Sequence, residues 1–169
     1  TFTSSPAASL IAPLTTKVMV YVMLRLMLTV FTPEYVFETL SVQTLIIWLA
    51  VGAILTGAIL ALTAKTLKRM FTYIIIAEVG YMVGGAWLGN RAAMTGTVLH
   101  IFNDALMTLC VFLAAGNIIY VLQTHRLKQL QGIFKLMPVT MGGLVLGAMA
   151  MIGVPPTCGF FSKWYLIQG

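Results

Sequence analysis

Residues 42–62 read VQTLIIWLAVGAILTGAILAL, a run with no charged side chain. At a rise of about 1.5 Å per residue, a helix of this length is about 30 Å long, which matches the hydrocarbon core of a bilayer. The run therefore reads as a transmembrane helix. Four more apolar runs surround it. Run 8–31 is interrupted by Lys17 and Arg25, run 70–88 contains Glu78, and run 92–122 contains His100 and Asp104. The last begins at Pro138, meets Pro155 and Pro156, and continues to Leu166 with Lys163 inside it. The fold class is an all-α, polytopic transmembrane bundle of about five spans.

Composition supports the same class. Hydrophobic residues make up 60% of the 169 and charged residues 8%, against about 25% charged in a soluble domain. The net charge of +6 could point to nucleic acid, but the basic residues fall between apolar runs and form no patch with interleaved aromatics. Topology explains them instead. Lys65, Lys68 and Arg69 follow the second run, and Arg126, Lys128 and Lys135 follow the fourth. The loop after the first run holds Glu34 and Glu38 and no basic residue; the turn after the third holds only Arg91. By the positive-inside rule the basic loops face the cytoplasm or matrix. Cys110 and Cys158 stand singly in apolar sequence, with no CxxC and no His/Cys cluster. Free buried thiols are expected, with no metal site and no disulfide. The chain runs from Thr1 to Gly169 with both ends in sequence that looks cut. A single transmembrane domain over 1–169, belonging to a longer polypeptide, is the expectation.

Pro155 and Pro156 should break the last helix, since each proline lacks the N–H that a helix needs and clashes with the preceding turn. Gly153 and Gly159 flank them, and apolar residues resume on both sides. Non-helical backbone at membrane depth is tolerated only where protein or a water-filled cavity satisfies it, and such breaks often mark ion sites. The alternative is the plain end of a short helix.

Ionisable residues inside spans cost about 2.5–3.5 kcal/mol each on insertion scales and usually line an ion path. Lys17 lies near mid-span with Tyr21 four residues on, on the same face. It suits a proton relay if desolvated, or it snorkels to the interface. His100 and Asp104 share a face at i, i+4. Histidine passes protons near neutrality, although a structural histidine bonded to a neighbouring helix fits equally. Glu78 is a proton acceptor or the partner of a basic residue from another helix. Lys163 follows the break and either lines its cavity or snorkels.

Four motifs, in order along the chain, carry a family resemblance. Residues 16–21, TKVMVY, with Arg25, resemble a lysine-bearing helix of pattern KxGxYxxxR. Residues 62–81, LTAKTLKRMFTYIIIAEVGY, are similar to DLKRxLAYSSIxxxGY. Residues 99–107, LHIFNDALM, resemble HxxHDALxK or HxxxHALxK. The stretches LQGIFKLMPVT (130–140) and GVPPTCGFFSKW (153–164) resemble GGLxKxMPxT and GxPPxxGFFSKW. Together they resemble the antiporter-like, proton-translocating membrane subunits of complex I, of Mrp-type cation/proton antiporters and of membrane-bound hydrogenases. The HxxxDAL and AEVGY details look most like the branch that holds the D-type Mrp antiporter subunits and the hydrogenase counterparts.

The resemblance implies proton, or sodium/proton, translocation within a multisubunit respiratory, hydrogenase or antiporter complex. In it, Lys17 would be the relay lysine, His100 the histidine of the central axis, and Lys163 the lysine leading to the exit. Asp104 completes the candidate relay, with Tyr21, Glu78, Lys68 and Thr108 in support. Thr108 stands where the family has a lysine, Met19 where it has a glycine, and Asn103 or Asp104 where it has a second histidine. These departures keep a non-conducting scaffold open as the alternative. The implied partners are other membrane subunits, the lipid bilayer, and H⁺ or Na⁺, in a bacterial, archaeal or organellar energy-transducing membrane. No cofactor motif is present, so any redox catalysis would belong to partner subunits.

Overall fold

The computed structural model describes residues 5–124, 126–130 and 132–169, with side chains from 11 onward except 12 and 13. The described residues are mostly helical and contain no strand, only one isolated bridge. Helix α1 spans Ser5–Arg25, α2 Gln43–Thr63, α3 Leu67–Trp87 and α4 Arg91–Leu122. A short α5, Ile133–Leu136, leads into α6, Pro138–Ile152, and α7 is Cys158–Gln168. By length and hydropathy α2, α3 and α4 can each cross a membrane. Helix α1 is as long as α2 and carries the two charges Lys17 and Arg25. Helices α6 and α7 are the two halves of the broken last span.

Local chemistry sets the helix ends. Thr66 and Asn90 have extended backbones, and their side-chain oxygens accept from the Arg69 and Ala93 amides, capping α3 and α4. Pro138 sits at the start of α6, where its missing N–H costs nothing. Gly153 closes α6 with φ +89, a left-handed conformation glycine adopts without strain. The loop between the first two spans is more regular than its sequence implies. Helix α1 runs on into a π-type turn, Leu26–Val30, and a second such turn covers Tyr35–Thr39.

Helix α4 is the hub, touching α1, α3, α6 and α7, while α2 packs along the far side of α3. The α2–α3 contact is close because glycines face it. A Cβ on Gly57 would lie 2.8 Å from the Tyr73 carbonyl oxygen. The two basic loops meet at one end of the bundle: the Leu127 amide donates to the Lys65 carbonyl at 3.3 Å, beside a bridge between Thr66 and Arg126. At the other end Asn90 Nδ2 donates to the Gly169 carbonyl at 2.7 Å.

Two apolar clusters fill the interior. One joins Leu67 and Phe71 to Met107, Val111, Ala150 and Met151. The other joins Leu24, Met27 and Val36 to Ala86 and Trp87. They occupy opposite ends of α3, and Glu78 lies between them. The cysteines depart from expectation: Cys110 and Cys158 are free, but both are exposed on the outer face of the described bundle. An outer face that meets lipid or other helices accepts a small apolar thiol as readily as a core does.

The break is packed as tightly as the helices. A Cβ on Gly159 would fall 1.8 Å from the Ala150 carbonyl oxygen, so α6 and α7 approach closely across it. Gly159→Ala should therefore force the halves apart and cost about 1–3 kcal/mol, the usual penalty of overpacking. The measurement is thermal unfolding in detergent; an unchanged midpoint would contradict this packing.

Candidate functional site: a buried line of ionisable side chains

Four helices place charged or titratable groups at mid-depth. Lys17 comes from α1, Glu78 from α3, His100 and Asp104 from α4, and Lys163 from α7. Lys17, Glu78, His100 and Asp104 are all buried, the last two completely, and Lys163 is largely covered. Burial removes these groups from bulk solvent, so they must satisfy one another.

They do so in two groups. In the first, Lys17 Nζ lies 2.6 Å from Asp104 Oδ2. This is the closest of the ion pairs among the described residues, and neither group has another hydrogen-bond partner there. Thr108, one turn on, donates its hydroxyl to the Asp104 backbone carbonyl at 2.5 Å rather than to the carboxylate. In the second group, Glu78 sits between two cations or potential cations. Its Oε2 is 2.8 Å from His100 Nε2, and its Oε1 accepts from Lys163 Nζ at 3.2 Å. His100 Nδ1 is 3.0 Å from Ser162 Oγ. The Lys163 ammonium also lies 4.8 Å from the centre of the Tyr81 ring, within cation–π range. Tyr81 meets the His100 ring edge-on, centroids 6.1 Å apart.

The helix break supplies part of this site. Within a helix the Met151 carbonyl would accept from the amide four residues on, and that residue is Pro155, which has no N–H. Lys163 Nζ donates to the Met151 carbonyl instead, at 2.5 Å. The proline thus creates an acceptor in the membrane interior, and the lysine fills it. A cavity of about 510 Å³ opens beside it, lined by Tyr81, Gly153, Phe160, Lys163 and Trp164. A second cavity, also about 510 Å³, lies between α1 and α4 and reaches Lys17, Tyr21 and Arg25.

All four candidate relay residues therefore converge on α4, with Glu78 in direct contact with two groups of the second cluster. Tyr21 is exposed in the α1–α4 cavity. Lys68 is exposed on the first turn of α3 and makes none of these contacts. Pro155 and Pro156 form the turn between α6 and α7. Sequence reasoning did not single out Ser162, which is fully buried and bonded to the imidazole. Its only signal was a polar residue beside Lys163 in an apolar stretch. No group of His, Cys, Asp and Glu among the described residues could hold a metal ion.

Comparison with known proteins gives a consistent picture. Residues 3–169 match the family model described as NADH:quinone oxidoreductase/Mrp antiporter, transmembrane. The chain is 38% identical over 168 residues to an NADH-quinone oxidoreductase membrane subunit (the N-type one) of Desulforudis audaxviator, covering 99% of this chain and 33% of that protein. It is 30% identical to the D-type subunit of the Na⁺/H⁺ antiporter of Bacillus subtilis, covering 97% of this chain and 33% of that protein. The chain thus spans about a third of the length of these relatives. Among solved structures, the archaeal membrane-bound sulfane sulfur reductase superposes with a TM-score of 0.82 at 27% identity, over 97% of this chain and 35% of that one. The Mrp complex of Dietzia superposes with a TM-score of 0.73 at 25% identity, over 88% of this chain and 16% of that one. Matched by that model over nearly its whole length, this integral, multi-pass membrane chain belongs to the NADH:quinone oxidoreductase/Mrp antiporter transmembrane family.

Proposed function

We propose that this segment carries part of a proton-translocation path, or a sodium-coupled proton path, within a longer subunit of a multisubunit membrane complex. The observation that carries the reading is the buried contact series Lys163–Glu78–His100, with links of 3.2 and 2.8 Å at the depth where the last helix breaks. Each member can gain or lose a proton, and each is positioned by a different helix. In this reading His100 gains and loses a proton at one ring nitrogen while the other stays bonded to Glu78, and Glu78 is shared between His100 and Lys163. A change of charge at one end then alters the pairing at the other. Lys17 and Asp104 form an adjoining pair that opens when a proton or cation approaches. The relatives' names and family membership support ion translocation in general; the residue roles are ours.

The test uses inside-out vesicles from cells carrying the complete subunit in its complex, with proton uptake followed by a pH-sensitive dye. Glu78→Gln and Lys163→Ala should each lower the coupled rate about tenfold or more, the factor given by about 1.4 kcal/mol on a barrier. The complex should still assemble. Normal uptake in both variants would refute the relay.

One observation favours a second reading, a non-conducting scaffold. No side-chain hydrogen bond among the described residues joins Asp104 to His100, although they lie one turn apart on α4, and the Thr108 hydroxyl is turned back onto its own helix. Conduction across that gap needs water. Ordered water between Asp104 and His100 in a high-resolution density map would support the relay, and a dry gap would support the scaffold.

The Lys17–Asp104 pair gives a second expected outcome. Removing one partner of a buried pair costs about 3–5 kcal/mol, whereas replacing both by apolar residues is often neutral. Lys17→Met alone should strongly destabilise the bundle in detergent unfolding, and adding Asp104→Leu should restore most of the loss. Additive losses would show that the two side chains do not act as a pair.

A further inference from the structure

The His100 ring is held from both sides by partners of different kinds. Nε2 faces Glu78 Oε2 at 2.8 Å, and Nδ1 faces Ser162 Oγ at 3.0 Å. An ionised carboxylate only accepts, so Nε2 carries a hydrogen in either charge state of the ring. The variable position is Nδ1. Ser162 has one hydroxyl hydrogen and two acceptors in reach: Nδ1, when that nitrogen is bare, and the Gly159 carbonyl oxygen at 3.1 Å. The hydroxyl cannot serve both at once.

This arithmetic gives two satisfied arrangements. With the ring neutral, Nδ1 is a lone pair and the hydroxyl turns towards it. With the ring charged, Nδ1–H donates to Oγ and the hydroxyl turns to the Gly159 carbonyl. Ser162 is completely buried and Gly159 nearly so, so water does not compete for either bond. Gly159 lies in the first turn of α7, just past the break, and α4 also holds that turn through Asn103 Nδ2 donating to the Cys158 carbonyl at 2.9 Å.

We propose that Ser162 is a positioning residue whose hydroxyl turns between His100 Nδ1 and the Gly159 carbonyl, coupling the protonation of the histidine to the backbone at the helix break. The inference rests on the relay reading of His100 given above. The step forms one N–H bond at Nδ1 and breaks one O–H bond of a hydronium ion that reaches the ring only when the site takes up the proton, leaving a water molecule; release reverses it. No other bond changes except hydrogen bonds. The titratable and charged groups around the ring are Glu78 and Tyr81 from α3, Lys163 from α7 and Asp104 from α4. Lys17 of α1 stands behind Asp104. Among these contacts Ser162 alone can switch from donor to acceptor without changing its own charge.

The test is proton uptake by vesicles carrying the complete subunit in its complex, measured across pH. Ser162→Ala removes the acceptor of the second N–H, which the charged ring loses at greater cost than the neutral ring loses its donor. The rate should fall about tenfold at the wild-type optimum, and the rate–pH profile should move towards acid by about one unit. Ser162→Thr keeps the hydroxyl and should return the profile to the wild-type position. If Ser162→Ala does not assemble, Ser162→Cys, with its weaker donor and acceptor, should show the same acid shift. A wild-type profile in the alanine or cysteine variant, or a threonine variant that behaves like alanine, overturns the proposal. His100→Gln separates the two readings. If it pumps normally, the relay itself falls; if it is inactive while Ser162→Ala keeps the wild-type profile, only the role of Ser162 falls.

Discussion

The constraint on which this structure depends is the balance of charge inside an apolar bundle. Glu78, Asp104, Lys17 and Lys163 lie at mid-depth, where each charge carries a cost of a few kcal/mol. Two carboxylates against two ammonium groups leave no net charge when His100 is neutral. The helices are arranged so that this cancellation takes place through contact. Helix α4 is central because it carries both the histidine and the second carboxylate. Helices α1, α3 and α7 converge on it because each brings a group that α4 or its neighbours need. The apolar clusters around Phe71 and Met107 and around Leu24 and Trp87 then close the ends of the interior.

The break in the last span belongs to the same balance. Two prolines remove two helix donors and free carbonyls that lipid cannot satisfy. The Lys163 ammonium reaches back to the Met151 carbonyl with one hydrogen and to Glu78 with another. A backbone acceptor thus helps to hold a charged lysine in the membrane interior, which a continuous helix could not do at this position. The close approach of Gly159 to Ala150 keeps the two half-helices near enough for that reach.

Much of this was legible in the sequence, and the limits have physical causes. The spans appear as apolar runs because lipid imposes composition directly on the chain. Observed helix ends differ from the runs by only a few residues, as at Leu67 against residue 70. The break was legible because proline acts locally. The i, i+4 placement of His100 and Asp104 follows from helix geometry alone. Which carboxylate meets which lysine was not legible, because it depends on how four helices are rotated against one another. Lys17 and Asp104 are 87 positions apart in sequence and Glu78 and Lys163 are 85 apart. Ser162 escaped notice for a related reason. A serine in an apolar run commonly bonds its own helix, and only the tertiary structure shows that it also meets an imidazole. The thiols were placed inside by a rule drawn from soluble proteins, whereas a membrane bundle accepts apolar groups on its outside.

The two groups of charges are unequal in kind, and that inequality bears on mechanism. The Glu78 group is fully connected: each oxygen of the carboxylate has a donor, and the imidazole is bonded at both nitrogens. The Lys17–Asp104 group is a single close pair, 2.6 Å apart, with no further hydrogen-bond partner among the described residues. A network shares its charges among several partners, whereas each member of an isolated buried pair depends on the other alone. Lys17 also lines a cavity between α1 and α4 with its side chain, while its ammonium stays buried against Asp104. In the relay reading proposed above, a proton or cation that neutralises one member of the pair leaves the other uncompensated one turn from His100, the nearest group on α4 able to answer with a positive charge.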